Sequence, residues 1–100
     1  MTLTERQKKH LRRLAHPLRN VVMIGAAGPT AAVAAELDLA LTTHELVKVS
    51  ARIGDRAQRD QALAGLAAST ASELIQRIGN VGVFYRRRRE GLPKIVLPDE

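Results

Sequence analysis

Cysteine and tryptophan are absent from this sequence, and Phe84 and Tyr85 are its only aromatic residues. Without thiols there is neither a disulfide framework nor a thiolate metal site, a composition that suits a reducing compartment. Two aromatics argue against a module that stacks several bases on a sheet. Long apolar runs are missing as well. Nothing approaches the roughly 20 residues needed to cross a bilayer, and the opening segment MTLTERQKKHLRRLAHP is too charged for a signal peptide. The expectation is a soluble, cytoplasmic protein. One hundred residues are enough for one domain with one core, expected over residues 1–98 with 99–100 as a terminal tail.

Acidic residues are scarce where basic ones gather. Sixteen Lys and Arg face ten Asp and Glu, giving a net charge of +6 and a sequence pI near 10.8. Residues 1–20 carry Arg6, Lys8, Lys9, Arg12, Arg13 and Arg19 against Glu5 alone, whereas residues 29–46 carry Glu36, Asp38 and Glu45 and no basic group. Basic groups return at Lys48, Arg52, Arg56 and Arg59, and again as Arg86-Arg87-Arg88-Arg89. A folded domain with one positive side expects a polyanion as partner, and a merely solvated surface is the plain alternative.

Thr4-Glu5-Arg6-Gln7 has the form of a capping box that opens a helix, and Pro17 ends it at Ala15 or His16. Leu11, Leu14 and Ala15 form its apolar stripe, while Arg6, Lys9 and Arg13 line one row and Lys8 and Arg12 the next. Five cations on three turns repel one another, a cost that phosphates would offset. Val21–Ile24 is apolar on both faces and predicts a buried, central strand. Gly25-Ala26-Ala27-Gly28 breaks it, and Thr30 caps a second helix whose Val33, Leu37, Ala40 and Leu41 share a face, with Glu36 and Asp38 turned away. Thr42-Thr43-His44 reads as a turn, and Glu45–Ser50 alternates as a second strand, reached by a right-handed parallel crossover. Gly54-Asp55 opens a third helix over Arg56–Ala68, with Ala57, Leu63, Ala64, Leu66 and Ala67 inward and Arg56, Arg59 and Asp60 outward. Residues 69–77 could prolong that helix, but Gly79-Asn80 between apolar runs marks a hairpin, so Leu74–Ile78 and Val81–Arg86 are read as paired strands. A tail from Gly91 to Pro98, with proline near both ends, cannot be a central strand. The predicted order is α-β-α-β-α-β-β, a single α/β domain.

Catalysis is poorly supplied. His10, His16 and His44 have no ligand spacing, and no Ser lies in a G-x-S-x-G elbow. Gly25–Gly28 fits neither a Walker A loop nor a dinucleotide fingerprint. No catalytic residue, cofactor or metal site is expected, and the protein is read as a non-enzyme. A strand, a small-residue loop and a helix N-terminus do favour an anion, since bare backbone can approach it and the first helical N–H groups point outward. Phe84 and Tyr85 are adjacent in a strand, so one is core. Tyr85 is expected to pack at a sheet edge, with base stacking as the alternative. If the last strand continued through the arginine run, Arg86 and Arg88 would face one side and Arg87 and Arg89 the other. G-x-x-G alone is a weak signal. Coupled to a basic first helix and a basic C-terminal strand, it reads as a phosphate cradle.

Several blocks in order resemble a known family. These are Leu3-Thr4-x-x-Gln7-x-x-x-Leu11-x-x-x-Ala15-x-x-Leu18, then Val22-x-Ile24-Gly25-x-x-Gly28, then His44-Glu45-Leu46-Val47-Lys48-Val49, and finally Gly82-x-x-x-Tyr85-Arg86 with Lys94-Ile95-x-Leu97-Pro98. Together they resemble the YhbY-type CRM domain, the bacterial stand-alone form of an RNA-binding domain. The resemblance implies a four-stranded mixed sheet with helices packed on it, like the C-terminal domain of translation initiation factor three. It implies association with precursor large ribosomal subunits and binding of structured RNA, and makes the Gly25–Gly28 loop the RNA contact. Family members often carry Lys or another polar residue between the two glycines, where this chain has Ala26-Ala27. The loop therefore keeps its backbone donors and lacks a side-chain charge.

The expected RNA-binding set is Gly25, Ala26, Ala27, Gly28 and Thr30, widened by Arg6, Lys9, Arg13 and Lys48, with Arg86 as an outer member. The expected partner is structured RNA, ribosomal RNA of the large-subunit precursor, with no membrane contact, and the protein is read as a monomeric ribosome-assembly factor. A general nucleic-acid binder without RNA preference and a protein-interaction module with a basic face are the alternatives.

Overall fold

The computed structural model describes residues 2–99; Met1 and Glu100, the outer limits of the expected domain and tail, lie outside the described residues. The elements are α1 (Glu5–Ala15), β1 (Asn20–Ile24), α2 (Ala31–His44), β2 (Leu46–Ala51), α3 (Arg56–Thr70), β3 (Glu73–Ile78) and β4 (Val81–Tyr85), in the α-β-α-β-α-β-β order expected. Local chemistry sets most of these boundaries. Thr4 Oγ1 accepts from the Gln7 N–H at 3.1 Å and Gln7 Oε1 accepts from the Thr4 N–H at 3.0 Å, which closes the capping box of α1. Asp55 and Gln58 do the same for α3, with both bonds at 2.9 Å. Each such cap stabilises its helix by about 1 kcal/mol.

The four strands form one mixed sheet in the order β1-β2-β4-β3. β1 runs parallel to β2, and β4 is antiparallel to both β2 and β3. Residues directly opposite in neighbouring strands share a face, so the register sorts the sheet into two. One face carries the row Val22–Val49–Gly82–Arg77 and the row Val47–Phe84–Leu74. It packs against Leu37 and Leu41 of α2 and Leu63 and Leu66 of α3. Truncating one of these leucines to Ala costs about 2–5 kcal/mol. A Cβ built at Gly82 would lie 2.9 Å from Leu63 Cδ2, so the bare backbone there lets α3 settle on the sheet. The other face carries the row Leu46–Tyr85–Glu73. There Leu46, Tyr85, Val83 and Ile75 meet Leu3, Leu11 and Ala15, with Ile95 and Leu97 of the tail alongside.

The structure corrects several expectations. β1 is an edge strand, not a central one, and its Val21 and Met23 are exposed. α1 packs chiefly on β2, β3 and β4, which leaves these two side chains in water. Thr42-Thr43-His44 is the last turn of α2 rather than a loop, since the Thr42 and Thr43 hydroxyls donate to the carbonyls of Asp38 and Leu39 at 3.0 Å and the helix runs on. Glu45 does not begin the second strand as a solvated residue. It is fully buried, turns the chain with φ +65°, and its carboxylate accepts the N–H groups of Arg88 and Ile95, both at 2.7 Å. In α3, Ala57 and Ala64 are exposed; the inner face consists of Ala62, Leu63, Leu66 and Thr70.

Tyr85 is buried in the sheet, not packed at its edge, because β4 is central. Burial and the nearby Glu45 carboxylate push its phenol above the ordinary value. The last strand ends at Tyr85, so the arginine run lies beyond the ladder and does not alternate across it.

Candidate nucleic-acid interface

β1 and β2 are parallel, so their C-terminal ends lie side by side, and α2 and α3 both begin there. The N–H of Arg52 donates to the Ile24 carbonyl at 3.2 Å, which carries the pairing one step past the strands and sets Arg52 beside Gly25. The Gly25–Gly28 segment is a tight turn in which the Gly28 N–H donates to the Gly25 carbonyl at 2.9 Å, and Gly28 takes φ +79°. Ala26 and Ala27 form its exposed tip. Thr30 then caps α2, its hydroxyl accepting from the Val33 N–H at 3.2 Å.

These bonds divide the donors of the loop. The Gly28 N–H and the Thr30 hydroxyl are spent within the chain, and Pro29 has no N–H to offer. Among the described residues, the N–H groups of Ala26 and Ala27 have no backbone acceptor. Those of Ala31 and Ala32 are the first two of α2, which no helix bonds internally. Electrostatics separate the two helix starts. α3 carries the Asp55 carboxylate on its cap, whereas α2 has a neutral threonine and no acid in its first turn. The positive end of the α2 dipole is therefore left for an external anion.

The cations expected around the loop are distributed along the molecule. Lys48 pairs with Asn20, at the opposite end of β1. At about 3.3 Å per residue, the strand puts about 13 Å between that end and Ile24. The Lys48 ammonium donates to the carbonyls of His16 and Leu18 at 3.3 and 3.1 Å, where it meets the negative end of α1. Arg6, Lys9 and Arg13 are exposed on the outer side of α1 and make no ion pair among the described residues.

Arg86 is withdrawn from the expected set. Its side chain is 9% exposed, ion-paired to Asp38 at 2.6 Å, and donates to the carbonyls of Thr70 and Asp38 and to the Thr42 hydroxyl. This guanidinium bolts α2 to the end of α3. Its hydrogen bond and its charge hold the Asp38 carboxyl below the usual range. Arg52, by contrast, is a candidate that sequence reasoning left out; only the parallel register brings it to the loop. Among the described residues, no group of three or more His, Cys, Asp or Glu is placed to hold a metal ion, and no helix is long and apolar enough to cross a membrane.

Comparison with known proteins agrees with the block pattern. The CRS1 / YhbY (CRM) domain profile matches residues 3–86. A protein of Haemophilus influenzae named RNA-binding protein is 40% identical over 97 residues, covering 97% of this chain and 96% of the relative. A probable RNA-binding protein of Pseudomonas aeruginosa is 39% identical over 87 residues, covering 87% and 84% respectively. The solution structure of a hypothetical protein from Staphylococcus aureus superposes with a TM-score of 0.82 at 34% identity, covering 97% of this chain and 100% of that one. A profile match over most of the length, relatives aligned nearly end to end and a shared fold lead to one assignment: the chain belongs to the CRS1 / YhbY (CRM) domain family.

Proposed function

We propose that this protein binds structured RNA and serves as a non-enzymatic ribosome-assembly factor on the precursor of the large ribosomal subunit. In this reading residues 1–98 act as one RNA-binding domain, as a monomer in the cytoplasm. The observation that carries it is the unpaired backbone N–H set of Ala26, Ala27, Ala31 and Ala32 at a helix N-terminus whose cap is neutral, with Arg52 beside it. Backbone donors of this kind suit a phosphate and read no base, which fits recognition by shape. Gly25 supports the same reading. A Cβ there would meet nothing within 4 Å and its φ is not in the left-handed region, so the fold itself does not require glycine. A ligand backbone in close approach would. The exposed cations Arg6, Lys9 and Arg13 extend the contact over α1, and Lys48 joins through its remaining donor. The names of the relatives, both given for RNA binding, point the same way.

The test is binding to a structured ribosomal RNA fragment across a salt series, comparing the parent with an Ala26→Asp, Ala27→Asp double variant that is first shown to be folded. The parent is expected to lose log K in proportion to log salt, with a slope of about 0.7–0.9 per phosphate contacted. The variant is expected to bind at least tenfold more weakly. Equal binding by both proteins would reduce the loop to a turn. If neither exceeds an unrelated basic domain, the RNA reading fails.

A further inference from the structure

α1 stops at Ala15 and leaves part of the second sheet face open. Its side chains lie over the Leu46–Tyr85–Glu73 row and over Val83, but it does not reach the outer parts of two further rows toward the loop end of the sheet: Asn20–Lys48–Val83–Gln76, then Met23–Ser50–Val81–Ile78, whose middle members Val83 and Ser50 are buried. Met23 and Ile78, at the two ends of the outer row, are 61% and 63% exposed. Between this uncovered surface and the end of α1 lies a groove of about 510 Å³. Ile78 and Val81 form its accessible apolar floor with Val83 buried at the inner edge, and its bank carries Arg12, Arg19 and Lys48. Met23 lies just outside it, along β1 toward the loop. No Asp or Glu lines it, and none of those three cations has an ion-pair partner among the described residues.

An apolar floor with a cationic bank is complementary to a chain with flat, weakly polar faces on one side and regularly spaced anions on the other. Single-stranded nucleic acid has that character. A duplex does not, because its base faces are stacked inside and it presents only base edges, sugars and phosphates. The position of the groove is also informative. Met23 is two residues before Gly25 on the same edge strand, so a strand leaving the groove along β1 arrives at the free amides of Ala26 and Ala27. We infer that this groove holds an unpaired RNA segment adjoining the helical part that engages the loop. The inference rests on the RNA-binding reading above and adds to it the class of RNA: a helix with a single-stranded extension. Aliphatic side chains form the floor in place of aromatic rings, so the contact is tolerant of base identity.

The experiment uses a hairpin RNA with and without a six-nucleotide uridine tail, at one fixed salt concentration. The proteins are the parent and a Met23→Ser, Ile78→Ser double variant. Both substituted side chains are exposed, and the change leaves the net charge untouched. The parent is expected to prefer the tailed hairpin by about tenfold, near the lower end of what one base stacked on an aromatic ring supplies. The variant is expected to lose most of that preference while binding the tailless hairpin as the parent does. Equal binding of the two RNAs by the parent overturns the groove and leaves the loop reading standing, as does a preference that survives in the variant. Binding of neither RNA above an unrelated basic domain overturns both. Displacement of the tailed RNA by an Asp/Glu-rich peptide at lower concentration than by free oligouridylate assigns the groove to a protein partner instead, and also overturns the inference.

Discussion

Glu45→Gln probes how the last stretch of the chain is held, and its size can be worked out from the structure. Each carboxylate oxygen accepts one backbone N–H at 2.7 Å, from Arg88 and from Ile95, inside a fully buried pocket. Hydrogen bonds to a charged group contribute about 1.5–3 kcal/mol each. Glutamine keeps one acceptor, now neutral, and turns an NH₂ toward the second N–H, so one bond is lost and the other weakened. Relief from burying a charge offsets part of that loss. The net cost is expected to be about 2–3 kcal/mol, a large share of the stability of about 5–15 kcal/mol usual for a domain. With a urea slope of about 1–3 kcal/mol/M, the unfolding midpoint should fall by about 1 M or more. Hydrogen exchange supplies the local readout: the amides of Arg88 and Ile95 should lose protection beyond what the global loss explains, because the tail is released before the sheet opens. A midpoint within about 0.2 M of the parent, with both amides still protected as in the parent, would refute the clamp.

Two further substitutions separate glycines that look alike in the sequence. Gly28→Ala is expected to cost about 1–2 kcal/mol in urea unfolding, because its φ of +79° lies in the left-handed region. Gly25→Ala should be neutral or stabilising by up to about 1 kcal/mol while weakening RNA binding; a stability loss as large as that of Gly28→Ala would mean the fold needs both. Acid unfolding tests the Asp38–Arg86 pair. Since the folded-state pKa of Asp38 is depressed, its contribution is complete above the ordinary carboxylate value and disappears as pH falls through the lower folded value. Below about pH 4, Asp38→Asn should flatten the fall in urea midpoint, and an unchanged slope in the variant would remove Asp38 from the account.

Legibility in the sequence followed the range of the physics involved. Thr4-x-x-Gln7, Pro17, Thr30 and Gly79-Asn80 act within four residues of themselves, and the boundaries they announce are where the structure has them. The rank of β1 was not legible in this way. Val21–Ile24 is apolar on both faces, and only the pairing order, together with the short reach of α1, leaves Val21 and Met23 in water. Glu45 was opaque for a similar reason. A glutamate after a helix reads as solvated, whereas its two partners lie 43 and 50 residues away. Its positive φ also gave no glycine or asparagine to read. In the candidate site the loop could be located from its glycines, but not which amides are free. That depends on the Gly28-to-Gly25 bond and on the Thr30 cap. Arg86 and Arg52 changed places for one reason: a charge in a list has no address until the strands are in register.

The amide of the Gln7 side chain donates to the Pro98 carbonyl at 3.0 Å, across 91 positions of sequence. The first helix and Pro98 therefore meet at one spot on the surface of the domain. A polypeptide arranged in this way is topologically close to a ring. Joining its two ends by a short bridge would ask little of loop-closure entropy, and reopening the ring at the exposed Gly79 would keep the residues paired between β3 and β4. The same geometry lets the domain be spliced into a surface loop of a host protein, entering and leaving at one point without prising the host apart.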